Sequence, residues 1–358
     1  MVEATRVLRR QTFHRQKAHL VLSAMRHRVA ELGERVTYVR SETFRSGLAE
    51  VDGLLDVIQP TTFAAARLVA DLAAERPIER RPARGFATSR AEFVGWASRR
   101  GGRRLLMEDF YRETRRRLGV LVEGGLPVGG RWTFDSKPGE PPMAARPDAG
   151  EPWWPAEDAI DAEVRADLDA LAAEGVPFAG EDGPRRFAAT RAEALTVLAD
   201  FVTYRLPRFR RSADTVGGEE RWMSNSVLTA PLNLGLLHPI EVVRAAEEAY
   251  AAGSVSLATV EGFLRQVIGW RDYRWHVYWF SGADCTLGHR RPVRVTRADG
   301  PNHHRPRLTV LGSYALQDGW DPTELTSWFD RRYLDAYDGL PMPNSPDGSE
   351  AYLRLRSS

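Results

Sequence analysis

The sequence predicts an α/β domain followed by an all-helical one, and three observations carry that reading. Short apolar runs alternate with amphipathic helical patterns through the first third of the chain. Residues 136–158, SKPGEPPMAARPDAGEPWWPAED, are rich in proline and glycine and show no hydrophobic period. After about Thr190 no strand pattern of any length appears. Alternating strands and helices imply a doubly wound parallel sheet, and an aperiodic proline–glycine stretch separates folded pieces. The expected layout is an α/β domain over 1–135, a linker with a short helix over 136–185 and a helical domain over 186–358. Two domains suit a chain of 358 residues.

In chain order, residues 14–32 read as an amphipathic helix, Val36–Val39 as a short strand, Gly53–Ile58 as an apolar run ending at Pro60, and Ala64–Glu75 as a helix. Residues 76–118 hold thirteen arginines among a few acidic residues, with Phe110 and Tyr111 between the clusters. Such a mixture suits either a nucleic-acid surface or a solvated helix face laced with pairs such as Glu113–Arg117. Beyond the linker, Ala159–Glu174 is a helix, 177–187 a loop, and Thr190–Arg205 a helix started by a Thr190/Glu193 capping box. A further helix covers Pro239–Ala251.

The densest stretch is Val260–Trp279, VEGFLRQVIGWRDYRWHVYW. Val260, Phe263, Leu264, Val267, Ile268, Trp270, Val277 and Tyr278 recur at helical spacing and predict one long, largely buried helix. Arg265, Arg271 and Arg274 stand among them with Asp272 as the nearby carboxylate. Buried cations need partners, so either acidic groups from elsewhere or an anionic ligand must satisfy them.

Composition narrows the function classes. No run of roughly eighteen apolar residues exists to span a bilayer, and MVEATRVLRRQTFHRQK lacks the apolar centre of a signal peptide. A soluble, cytoplasmic protein without membrane partners is expected. Cys285 is the one cysteine, which rules out an intrachain disulfide framework and any cysteine-rich metal cluster. Net charge is +2, yet the positive charge is nearly all arginine, with Lys17 and Lys137 the only lysines. A GC-rich coding sequence accounts for that bias, and arginine also suits phosphate contacts.

The run GFLRQVIGWRDYRWHVYW resembles the Gly-Trp-Arg-Glu/Asp-Tyr helix of the photolyase-related branch of the cryptochrome/photolyase family, which includes bacterial iron–sulfur (6-4) photolyases. MEDFYRETRRRLG, followed by VEGGLPVGGRWTFD, closely resembles that family's Met-Glu-x-Phe-Tyr-Arg-Glu-Met-Arg-Arg-Arg and Pro-Val-Gly-Gly-Arg-Trp-x-Tyr-Asp blocks. HRQKAHLVLSAMRH is similar to the family's first helix, which there follows a central strand and a Gly-Asp-Gln-Leu loop that help bind an antenna pigment. The sequence starts after both, so the resemblance implies either a misplaced start or an incomplete α/β domain, and leaves an antenna pigment without its usual loop.

Asn225–Leu237, NSVLTAPLNLGLL, resembles the segment whose hydroxyls and backbone N–H groups hold the flavin diphosphate in relatives. Ser226, Thr229, Asn233 and Gly235 keep the match, while Asn225 replaces a histidine and Ala230–Pro231 reverses the family's Pro-Ala order. On residue type alone the same stretch is a helix start capped by Ser226 or Thr229. The run from Asn302 looks like the family's paired-histidine block. His303 and His304 match histidines that face the lesion in relatives, one as proton donor, a role that suits a near-neutral pKa. Pro306 moves the helix start to about Arg305 and leaves both histidines in the preceding loop. The resemblance also assigns Trp270, Arg271, Arg307 and Asn344 to the FAD site. Trp328 and Tyr333 match electron-transfer aromatics, though core packing explains such residues as well. Phe329 replaces a tyrosine, and Gly339 and Pro341 replace a tryptophan and a glutamate. Residues 280–301 form an insert shorter than the family's, and Cys285 alone cannot hold a four-thiolate cluster, so no iron–sulfur cluster and no metal site are expected.

The resemblance therefore implies an α/β domain joined to a helical FAD-binding-type domain. The implied activity is light-dependent repair of pyrimidine photolesions, (6-4) products among them, in DNA by a monomer. A degenerate homologue without flavin and a cryptochrome-like blue-light receptor remain as alternatives.

Overall fold

The computed structural model describes residues 1–10, 12–49, 51–103, 105–134, 152–209 and 226–281. It forms two compact units, one from Met1–Arg84, Trp154–Ala194 and Asn233–Leu236, the other from Gly85–Trp153, Leu195–Leu232 and Leu237–Ser358.

The first unit carries the α/β character. Val2–Ala4 pairs in parallel with Val39–Ser41, Leu55–Ile58 with Ile78–Arg81, and Phe13–His14 with Phe178–Ala179. Parallel neighbours need a crossover, and helices Arg15–Leu32 and Phe63–Ala73 provide it for the first two pairs. The alternating pattern predicts one doubly wound sheet. Among the described residues the strands stand instead as separate two-stranded pairs. The strand expected at Val36–Val39 lies at Val39–Ser41, because Gly33–Arg35 forms a 3-10 turn beyond the long helix. The loop expected over 177–187 contains a short strand, Phe178–Ala179.

Helices Arg15–Leu32 and Ala159–Ala173 pack through Ala18, Leu22, Val164 and Leu168. Among the described residues, the arginines buried beside this core stand in bonded sets. Arg26 lies against Glu3 at 2.8 Å and Asp167 at 2.6 Å. Arg185 grips Asp161 through Nε and Nη2 and Glu193 through Nη1 and Nη2, all near 2.8–3.0 Å. Such pairing is what allows arginine into a core. The Thr190/Glu193 capping box forms as the sequence predicts. His27, Asp158 and Asp161 approach one another closely enough to suggest a metal site. Their groups are committed otherwise: Asp161 to Arg185, and Asp158 to His27 and the N-terminus of helix Ala159–Ala173.

In the second unit the ordered pieces are mainly helices: Arg90–Arg99, Met107–Leu118, Pro239–Ala251, and a run from Leu257 to Ser281. No strand is described after Ala179, in line with the lack of a strand pattern after about Thr190. The arginine-rich stretch divides its work. Arg115 is fully buried and donates to the carbonyls of Val120, Leu121 and Trp132. The expected Glu113–Arg117 pair gives way to longer-range partners, Glu113 with Arg99 at 3.2 Å and Arg117 with Glu92 at 2.9 Å. Among the described residues no helix is long and apolar enough to cross a membrane.

Candidate functional site

The run predicted as one long helix is helical throughout, but its middle is a π turn. Leu257–Leu264 is α, Arg265–Arg271 is π, and Asp272–Ser281 is α again. A π turn inserts one residue and moves every later side chain by one position. The apolar stripe Val260, Phe263, Leu264, Val267, Ile268 would otherwise continue through residues 271, 274 and 278. It continues instead through Asp272, Trp275, His276 and Trp279, which are buried, while Trp270 and Tyr278 of the predicted stripe are only half-buried. Gly269 lets this helix close on Met107–Leu118: an added Cβ would meet Met107 Sδ at 3.2 Å and Tyr111 Cδ2 at 3.3 Å.

The register shift places two titratable side chains inside the protein, and both hold one residue of the Gly85–Thr88 segment. The Thr88 N–H donates to Asp272 Oδ2 at 2.8 Å, and its carbonyl lies 3.0 Å from His276 Nε2. Burial pushes the Asp272 carboxyl up to about 7 against the opposing pull of Arg271 and the backbone N–H bonds. Burial likewise pushes His276 down to about 4. The imidazole is therefore neutral near pH 7, and its Nε2–H donates to Thr88. His276 also stacks on Phe93 at 4.9 Å.

Arg271 secures the other end of the segment. Its Nη1 donates to the Gly85 carbonyl at 2.6 Å, its guanidinium lies 4.4 Å over the Phe86 ring, and Phe86 stacks on Trp275 at 3.9 Å. A longer contact, 3.5 Å, joins Arg271 Nη2 to the carbonyl of Leu232. That carbonyl belongs to helix Thr229–Asn233, so two of the sequence's candidate elements meet here. The arginines of the long helix, of which Arg271 is buried, are thus met by carbonyls and rings as well as acids. Arg265 lies 3.8 Å from Glu261, and Arg274 lies 4.8 Å over Trp270.

Along residues 226–229 the backbone is strained. Val227 takes φ +48°, a region that β-branched residues avoid and that costs about 1–3 kcal/mol where it persists. Ser226 Oγ accepts the Leu228 N–H at 3.3 Å, closing a local turn, and Thr229 is buried at the start of its short helix. Asn233, at the end of that helix, is exposed. Strain of this kind is typical of segments that clamp a ligand, and hydroxyls beside a turn are suited to phosphate. Gln266, in the π turn, buries an Oε1 that has no hydrogen-bond partner among the described residues. The sequence gives no signal for it, because a glutamine between apolar neighbours reads as an exposed face unless the π turn is known.

Of the predicted site residues, Ser226, Thr229, Asn233, Trp270 and Arg271 are placed. His303, His304, Arg307, Trp328, Tyr333 and Asn344, like Cys285, lie outside the described residues.

A family model described as deoxyribodipyrimidine photo-lyase-related protein matches residues 1–176. The "(6-4) photolyase" of Agrobacterium fabrum (strain C58 / ATCC 33970) is 33% identical over 371 residues, an alignment covering 92% of this chain and 72% of that protein. The chain belongs to the photolyase-related family. The Ser226–Thr229 segment and the π-turn helix at Arg271 are the described parts of the flavin site that the sequence resemblance predicts. The residues present fit a phosphate-bearing group through the Ser226 and Thr229 hydroxyls and the strained turn at Val227, while the Arg271 guanidinium is committed to the Gly85 and Leu232 carbonyls.

Proposed function

We propose that this chain is a photolyase-type flavoprotein that repairs pyrimidine photolesions in DNA under light, with (6-4) products the favoured substrate. The observation that carries the reading is the union of the strained 226–229 turn with the π-turn helix through Arg271. It is supported by the 33% identity to a (6-4) photolyase. In this reading Ser226 and Thr229 donate hydroxyl hydrogens to a diphosphate, Asn233 hydrogen-bonds the cofactor nearby, and Arg271 braces the segment that carries them. FAD, when bound and reduced, supplies the electron that a photolesion needs for bond cleavage. Trp270, half-buried on the long helix, is a further proposed contact to the cofactor. His303 and His304 are the proposed proton donors to the damaged base, and Arg307 and Asn344 the proposed further cofactor contacts. Trp328 and Tyr333 are the proposed aromatic relays.

The absorption spectrum of purified chain, before and after incubation with FAD, tests the cofactor part. The paired near-ultraviolet and blue bands of oxidised flavin, retained after gel filtration, are expected. Folded protein that retains no flavin would remove both the repair and the blue-light-receptor readings and leave a non-catalytic homologue.

A further inference from the structure

Phe86 stands in the arginine-rich stretch, outside every candidate set read from the sequence, yet its ring meets two residues of the long helix. It stacks on Trp275 at 3.9 Å with an interplanar angle of 12°, and the Arg271 guanidinium lies 4.4 Å over it. The backbone on either side of the ring is held as well. Arg271 Nη1 donates to the Gly85 carbonyl at 2.6 Å, and Asp272 and His276 hold the N–H and carbonyl of Thr88. From helix Met107–Leu118, Arg117 Nη2 donates to the Ala87 carbonyl at 3.3 Å and to the Thr88 hydroxyl at 2.9 Å. A ring fixed in this way sets the position of the group that lies on it.

That group needs setting. Arg271 Nη2 reaches the Leu232 carbonyl at 3.5 Å, the outer limit of a hydrogen bond, so a small rotation about the short bond to Gly85 removes the contact. A guanidinium is planar and stacks on aromatic faces, and a desolvated cation is drawn to such a face by the ring's quadrupole. Arg271 is desolvated, with 7% of its surface exposed. Leu232 belongs to helix Thr229–Asn233, and its N–H bonds the Leu228 carbonyl at 3.0 Å. The contact with Arg271 therefore bears on the turn that begins at the strained Val227.

We propose that Phe86 is a positioning residue: its π face sets the plane of the Arg271 guanidinium and, through the Leu232 carbonyl, the seat of the 226–232 turn. The consequence for FAD rests on the flavin reading given above; the positioning itself does not.

The full chain is compared as wild type, as Phe86→Leu, as Phe86→Tyr and with a pentafluorinated ring at Phe86. Leucine keeps apolar bulk and loses the π face, tyrosine keeps the face, and fluorination keeps the ring's shape while withdrawing the negative charge from its face. Hydrogen exchange is followed by mass spectrometry in peptides over 226–232 and, as a control, over helix Pro239–Ala251. FAD and riboflavin binding are titrated on each protein, riboflavin being the flavin without phosphate. Exchange over 226–232 should quicken in the leucine and fluorinated proteins, stay at the wild-type rate in Phe86→Tyr, and remain unchanged over the control helix. The same two proteins should bind FAD about fivefold more weakly and riboflavin equally well. Unchanged exchange over 226–232 would overturn the proposal. A fluorinated protein that behaves as wild type would also overturn it, as the mark of packing by shape, and so would quickening shared by the control helix, as the mark of general destabilisation. The expected exchange pattern in a protein that binds neither flavin would uphold the positioning and remove the flavin reading. The fluorinated ring keeps the test decisive even where Phe86→Leu fails to fold.

Discussion

Replacing Asp272 by asparagine should expose a pH dependence that the native protein conceals. Asp272 is fully buried with its carboxyl pushed up to about 7 from 3.8. The stability that this acid contributes is complete below 3.8 and is lost as pH rises through about 7, because the unfolded chain releases the proton first. His276 is pushed down to about 4 from 6.5. Its contribution is complete above 6.5 and is lost as pH falls through about 4. Between about pH 4 and 6.5 the two slopes have opposite sign, each about 1.4 kcal/mol per pH unit, and cancel. The amide oxygen of an asparagine side chain would still accept the Thr88 N–H, so the Asp272→Asn variant keeps the clamp and removes one slope. Its stability relative to wild type should climb by about 3 kcal/mol from about pH 4 to 6.5. His276→Gln, which keeps a donor for the Thr88 carbonyl, should fall by a similar amount. Arg271 lies beside Asp272, and Glu92, Arg90 and Arg117 act on His276; all four remain in both variants. Urea unfolding followed by tryptophan fluorescence at several pH values measures the difference directly. A variant-minus-wild-type curve that is flat for Asp272→Asn would show an ordinary carboxylate and refute the buried clamp.

Three other outcomes follow from particular contacts. Gly269→Val should destabilise by roughly 1–3 kcal/mol, read as a lower denaturant midpoint, because its side chain must enter the 3.2–3.3 Å gap to Met107 and Tyr111. Arg271→Met should leave the Gly85 carbonyl without its donor, lowering stability by about 1–3 kcal/mol and weakening retention of FAD on gel filtration. Arg185→Met should lower stability by about 3–5 kcal/mol, seen in the melt, since it strands the buried Asp161.

The parts of the fold legible in the sequence are those with a strong local signal. The apolar period of Val260–Trp279 announces a buried helix, Thr190 and Glu193 announce a helix start, and the lack of a strand pattern after about Thr190 announces the helices described there. What stays hidden depends on contacts that no period encodes. One extra residue in the π turn exchanges Trp270 and Tyr278 for Trp275 and Trp279 in the core and carries Asp272 and His276 inward. Ile78–Arg81 is mostly charged, yet it pairs as a strand because Leu55–Ile58 supplies the ladder. In the run Arg115–Arg117 nothing distinguishes the fully buried Arg115 from its neighbours, since the carbonyls that receive it come from the turn that follows. At the candidate site, Ser226, Thr229 and Arg271 are legible through family likeness. The Gly85–Thr88 segment is not, because a backbone held by its own N–H and carbonyl groups leaves little mark on residue type.

The most direct test of the account is repair itself. Purified chain, reconstituted with FAD and reduced, is mixed with an oligonucleotide bearing a single (6-4) product and illuminated with blue light, with a dark control and a cyclobutane-dimer substrate alongside. The account predicts light-dependent restoration of the undamaged bases in the (6-4) substrate, absent in the dark. A flavin-loaded protein that restores neither substrate under illumination would contradict it.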